Sequence, residues 1–222
     1  MILFISKTKK HALALSEMFR FMGIPSFAST AAEGLSHVSP IFKAIIIIDP
    51  DALGDKADYI KRIHTYAHLP VFAIKDEADC TDKIIFDGVI KSGLYAAGIY
   101  NALMSYADEK GITAPGRYRL AGIDASVDIP KPTYFDRALP FTKTEAMIIR
   151  TLISTYPAPT KAKAILGYAF RQTKLPEEAN IRTHVSVINK KFRERTGRNL
   201  IVHTEGVGYR ILTPEIMEAL IK

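Results

Sequence analysis

The sequence holds one cysteine, Cys80, so no disulfide can form within the chain and a small cystine-stapled fold is excluded. A single thiol fits a reducing compartment. No apolar run approaches the ~20 residues needed to cross a bilayer as a helix. The opening MILFISKTKK offers five apolar residues before its first polar one, too few for the core of a secretory signal. A cytoplasmic protein with no membrane partner is the expectation. No phosphate-cradling glycine loop, nucleophile elbow or metal-ligand cluster stands out, so no enzymatic activity, cofactor or metal is expected.

Charge is present in quantity and unevenly spread. Residues 1–110 hold 12 Lys+Arg against 13 Asp+Glu, whereas residues 111–222 hold 18 against 10. The formal charge of +7 therefore belongs to the second half. Such asymmetry points to a polyanionic partner for that half, nucleic acid above all.

The first half alternates strand-like and helix-like stretches. MILFIS reads as a strand, and KKHALALSEMFRFMG as a helix with Ala12, Leu15, Phe19 and Met22 on one stripe. IPSFAS is a second strand and AAEGLSHVSP a weak helix. AIIIID, residues 44–49, is β-branched enough to be buried on both faces, and Pro50 ends it. DKADYIKRIHTYA, LPVFAI, ADCTDKIIFD, GVIK and GLYAAGIYNALMSYADEK continue as helix, strand, short helix, strand and helix. This β-α-β order predicts a parallel sheet covered by helices on both sides, over residues 1–107. DEKGITAPGR, residues 108–117, reads as a linker.

From residue 118 onward the pattern changes. YRLAGIDASVDIP and TYFDRALPFT look like short antiparallel strands. FTKTEAMIIRTLISTYP opens with a capping box, Thr142 and Glu145, and carries the stripe Ala146, Ile149, Leu152 and Ile153. Thr160 is placed to cap the next helix, KAKAILGYAF. In EEANIRTHVSVINKKFRERTG, Ile181, Val185, Ile188 and Phe192 form an apolar stripe. Asn180, Thr183, His184 and Val187 share another face, with groups able to meet base edges and thymine methyls. Lys190, Lys191, Arg193, Arg195 and Arg198 crowd the helix end, where phosphate contacts and the helix dipole both favour cations. NLIVHTEGVGYRIL then reads as a hairpin turning at Gly206 and Gly208. The terminal TPEIMEALIK reads as a short amphipathic helix.

The HVS…KKF helix followed by the GVGYR hairpin resembles the winged-helix effector domain of OmpR/PhoB-type response regulators, and the resemblance runs over residues 118–213. It implies an α/β receiver-like domain (flavodoxin-like, parallel sheet) followed by an α+β winged helix-turn-helix domain over residues 118–222. It also implies double-stranded DNA as partner. On this resemblance Asn180, Thr183, His184 and Val187 read the major groove. Asn189 and Lys190 fall near backbone-contacting positions, and His203 and Glu205 where the wing approaches the minor groove; Lys191, Arg193, Arg198 and Arg210 are further candidate DNA contacts. The family often has arginine where Val187 and Glu205 stand, so DNA binding is expected to lean on the helix more than on the wing tip.

By the same resemblance, Asp49 falls at the phosphoacceptor position of a receiver and Lys91 at that of its phosphoryl-pairing lysine. Aspartyl phosphorylation needs Mg²⁺, held by acidic residues after the first strand, where this sequence has Ser6 and Lys7. Lys75 stands at or near the expected hydroxyl residue. Asp49 is therefore expected to be locked in an ion pair by Lys7, Lys75 or Lys91, with Asp51 a further candidate member that Pro50 turns toward solvent. A homodimer through the receiver-like domain is expected, and RNA polymerase is a further candidate contact. Tyr95, Ile99, Leu103 and Tyr106 are either dimer anchors or packing for the domain's own sheet. The expected function is a transcriptional regulator independent of ordinary aspartyl phosphorylation. The alternatives are a regulator phosphorylated at Asp49 and an adaptor whose winged helix binds protein.

Overall fold

The computed structural model describes residues 1–77, 80–94, 96–170 and 178–213. The chain divides into two compact units, Met1–Pro115 and Gly116–Lys222. Among the described residues no helix is long and apolar enough to cross a membrane.

The first unit alternates β1 (Ile2–Ser6), α1 (Lys9–Phe21), β2 (Ser26–Thr30), α2 (Ala31–His37), β3 (Ala44–Ile48), α3 (Lys56–Tyr66), β4 (Val71–Lys75), α4 (Cys80–Ile85), β5 (Gly88–Lys91) and α5 (Ala96–Lys110). A 3₁₀ turn, Pro50–Leu53, joins β3 to α3. All five strands are parallel, in the order β2-β1-β3-β4-β5. That is the flavodoxin-like order, whose ligand crevice lies outside the carboxyl ends of β1 and β3. The run Ala44–Ile47 is fully covered because helices lie on both faces. α1 packs beside α5, while α3 neighbours α4.

The expected stripe of α1 is rotated. Ala12 and Phe19 are buried, but Ser16 and Arg20 are buried with them in place of Leu15 and Met22. Polar groups tolerate that position because they satisfy one another. Arg20 Nη2 donates to Ser16 Oγ at 2.7 Å, Arg20 Nε to the Ser26 carbonyl at 3.2 Å, and Ser26 Oγ to the Ser16 carbonyl at 2.7 Å. On α5, Ile99 and Leu103 are buried inside the unit. Tyr106 packs edge-on against Phe72 and donates to Asp87 at 3.1 Å. These three serve their own unit's packing, and Tyr95 lies outside the described residues.

The second unit opens with a four-stranded antiparallel meander, β6 (Arg119–Leu120), β7 (Ile123–Asp124), β8 (Thr133–Tyr134) and β9 (Arg137–Ala138). Three helices follow, α6 (Lys143–Thr155), α7 (Ala162–Ala169) and α8 (Glu178–Thr196), then the hairpin β10 (Ile201–Thr204) and β11 (Gly208–Ile211). This is a winged helix-turn-helix arrangement. Its core joins Ile149 and Leu152 of α6, Ile165 of α7, Ile188 and Phe192 of α8, and Ile211 of the hairpin. The capping box forms as read, with Glu145 N donating to Thr142 Oγ1 and Thr142 N to Glu145 Oε2. Thr160 does not cap α7. Its hydroxyl bonds Thr155 Oγ1 at 2.6 Å, and its backbone bridges Tyr209 of β11 in both directions. Residues 214–222 of the expected terminal helix lie outside the described residues.

Candidate nucleic-acid interface and the Asp49 turn

Helix α8 owes its orientation to its inward side. Ile181, Val185, Ile188 and Phe192 are buried at helical spacing. The opposite side leaves Asn180, Thr183, Val187 and Lys190 exposed, with His184 half-buried at its edge. Arg182, Ser186 and Arg193 are also exposed, with Arg182 beside the hairpin. Lys161, Arg182, His203 and Tyr209 line a concavity of about 490 Å³ between α7, α8 and the hairpin. Arg182 was not singled out by the sequence reading. Its signal was its place one turn before Ser186 and two before Asn189, the residue that holds the hairpin.

Several residues expected at DNA are engaged inside the unit instead. Asn189 donates to the Ile201 carbonyl at 2.8 Å and accepts from the N–H groups of Leu200 and Ile201 at 3.0 and 2.8 Å. Its amide is occupied in fixing the start of β10. Lys191 Nζ lies 2.9 and 2.8 Å from the two oxygens of the buried Glu145 carboxylate. It therefore neutralises the capping glutamate of α6 and points away from the exposed face. Arg198 donates to Tyr134 Oη at 2.9 Å and lies over that ring, so it ties the end of α8 to the meander. Arg210 is half-buried on β11 opposite Val202, with its Nε shielded from solvent. His203 is exposed near the hairpin tip and stacks on Tyr209, ring centroids 4.5 Å apart. Lys190, Arg193 and Arg195 remain as the exposed cations of the expected set on α8.

The carboxyl edge of the first unit's sheet also differs from expectation. Asp49 sits in the left-handed region at φ +53°, which turns the chain sharply into Pro50. Its side chain is 65% exposed, and the His11 Nδ1 lies 3.9 Å from its Oδ2. Among the described residues it makes no ion pair with Lys7, Lys75 or Lys91. The lock forms two residues onward, on Asp51, which is 61% exposed and still takes part in it. Asp51 receives Lys56 Nζ at 2.6 Å and Lys75 Nζ at 3.2 Å. Both lysines also reach Asp82 of α4, at 3.0 and 2.7 Å. The sharp turn at Asp49 and the 3₁₀ turn after it carry the Asp51 carboxylate back over the end of β4, where Lys75 stands. Hydrogen bonds from Lys56 first and Lys75 second hold the Asp51 carboxyl below the usual carboxylate range.

A receiver-type sheet order and a winged helix now stand on one chain. The chain resembles an OmpR/PhoB-type response regulator. No family model matches it, and no curated protein matches its sequence. Among solved structures it is similar to a mutant of RitR, at 13% identity over 96% of this chain and 98% of that one, with a TM-score of 0.40. It is likewise similar to DrrB, an OmpR/PhoB homologue of Thermotoga maritima, at 13% identity, 95% and 98% coverage and a TM-score of 0.40. A CheY-like receiver protein of Methanospirillum hungatei matches 50% of this chain and 94% of its own, at 14% identity and a TM-score of 0.41.

The OmpR/PhoB-type resemblance implies Mg²⁺ beside Asp49, and the residues present do not fit that ion. The end of β1 presents the buried Ser6 and then Lys7, an ammonium where a dication needs oxygen ligands. The Asp51 carboxylate already carries two ammonium groups. Among the described residues no three His, Cys, Asp or Glu side chains gather to hold a metal. The expectation that no two histidines stand at H-x3-H ligand spacing is incorrect, since His64 and His68 do. α3 ends at Tyr66 and Ala67 is extended, so the two do not share a helix face.

Proposed function

We propose that this protein is a DNA-binding transcriptional regulator whose first unit works without ordinary Mg²⁺-dependent aspartyl phosphorylation. The observation that carries this reading is the outward face of α8, where Asn180, Thr183, Val187 and Lys190 stand exposed beside a cation-lined concavity. Hydrogen-bonding and small apolar groups at one helix face suit base edges, and Lys190, Arg182 and Arg193 suit flanking phosphates. The +8 charge of residues 111–222 supports the same partner. Double-stranded DNA is read by the second unit, and two copies on adjacent half-sites raise the affinity of a small interface. The reading assigns no catalytic role to any residue.

Fragment-binding measurements at two salt concentrations test it. Selective binding that weakens with salt is expected, with Thr183→Ala and Val187→Ala altering site preference and Lys190→Ala weakening every sequence alike. Absence of DNA binding by folded protein would overturn the reading. The exposed Val187 and Val207 would then favour a protein partner for the same face. Incubation with acetyl phosphate and Mg²⁺ is expected to leave Asp49 unmodified, and a phosphorylated Asp49 in the mass spectrum would refute the metal-independent part.

A further inference from the structure

We infer that Asp51, Lys56, Lys75 and Asp82 form a built-in electrostatic clamp that fixes α4 against β4 and the Asp49 turn. In it the Lys75 ammonium supplies the positive charge that the mismatched Mg²⁺ site cannot. The clamp starts from Asp82, whose side chain is fully buried in α4. A buried carboxylate is tolerated only when paired and hydrogen-bonded. Its Oδ1 accepts from Lys56 at 3.0 Å and its Oδ2 from Lys75 at 2.7 Å. Each lysine then reaches the Asp51 carboxylate, at 2.6 and 3.2 Å, which closes a ring of two cations and two anions.

The four members come from four separate segments: the 3₁₀ turn after β3, the start of α3, the last residue of β4, and α4. Both lysine side chains are only 19% exposed, whereas Asp51 is 61% exposed. The ring is thus buried at its α4 end and open at its turn end. α4 has six residues, too few to hold itself by helix propensity. Its register against β4 depends on Asp82 reaching both ammonium groups. Asp51 lies two residues from Asp49, so a displacement of the Asp49 turn reaches α4 through Lys56 and Lys75. This gives the unit a fixed arrangement of α4 by charges of its own chain.

Hydrogen exchange of the full-length protein tests the clamp without reference to DNA. Lys75→Met keeps the apolar stem and removes the ammonium, and Asp82→Asn removes the buried charge. Each is expected to speed exchange across residues 81–86 at least tenfold, and the double variant is expected to recover part of that loss because Lys56 and Asp51 remain paired. Lys83→Met, at an exposed position on α4 outside the ring, is expected to change nothing. Mg²⁺ alone is expected to leave the exchange of α4 in the unsubstituted protein unchanged. Unaltered exchange in a folded Lys75→Met protein, or protection of α4 by Mg²⁺, would overturn the inference.

Discussion

Lys190 and Lys191 are neighbours in sequence with opposite assignments, and replacing each separately puts the orientation of α8 to the test. Lys191 bonds both oxygens of Glu145, whose side chain is 4% exposed, while Lys191 itself is 24% exposed. Lys191→Met leaves that carboxylate buried with the Thr142 N–H as its remaining partner in the capping box. Breaking one side of a buried pair costs about 3–5 kcal/mol. The partial exposure of Lys191 and the retained Thr142 bond reduce this to about 2 kcal/mol. For a unit of roughly a hundred residues that lowers the unfolding midpoint by about 8–12 °C. Circular dichroism melts of the full-length protein read the shift, and DNA affinities between low and moderate salt read the charge. Lys191→Met should melt early and keep the salt slope of the parent. Lys190→Ala should melt within a few degrees of the parent and lower the slope by about 0.9, the value of one phosphate contact. A Lys191→Met protein with unchanged melting and a reduced salt slope would refute the inward placement.

Asn189→Ala removes three hydrogen bonds to the start of β10 and should cost about 2–3 kcal/mol, read from urea unfolding of the second unit. Gly208→Ala should destabilise the hairpin, because a Cβ there would sit 2.6 Å from the Thr160 carbonyl oxygen at a φ of +132°; loss of protection at the Thr160 and Tyr209 amides is the readout. The charge ring sets a pH window. Asp51 is held low by Lys56 and then Lys75, so its contribution is complete above the unfolded carboxylate value of about 3.9 and fades as pH falls through its lower folded value. Lys56 is held high chiefly by Asp51, and Lys75 chiefly by Asp82, so theirs is complete below about 10.4 and fades as pH rises through their higher folded values. Urea midpoints should accordingly show no effect of the ring's titration near neutrality, and Asp51→Asn should flatten the acid limb.

The fold was legible where one period dominated. AIIIID could only be a strand covered on both faces, and the stripe Ile181, Val185, Ile188 and Phe192 is buried as its spacing required. The capping box also formed, since it depends on residues three apart. The candidate site was less legible because its polar side chains choose partners far along the chain. Lys191 finds Glu145 46 residues away, and Arg198 finds Tyr134 64 residues away. Nothing in a helical wheel separates a long cation that bends inward from one that stays outside. Arg20 went unrecognised as a buried residue for a different reason: its partners Ser16 and Ser26 are near in sequence, but a polar cluster carries no apolar periodicity. At the sheet edge, Pro50 was read as turning Asp51 away. Asp51 is indeed 61% exposed, but Lys56 and Lys75 reach it there, and the left-handed Asp49 that sets the turn leaves no periodic trace.

Asn189 and Lys191 grip α8 from two sides, one on the hairpin and one on the cap of α6. Together they index the helix about its own axis, as a key fixes a wheel on its shaft. The outward positions take no part in that indexing. Thr183, Val187 and Lys190 are thus free to be exchanged for other side chains without turning the helix. On the proposed DNA-binding function, the parts that aim the helix are separate from the side chains that would meet the bases. Under that proposal, a change of target sequence needs only substitutions that cost the fold almost nothing.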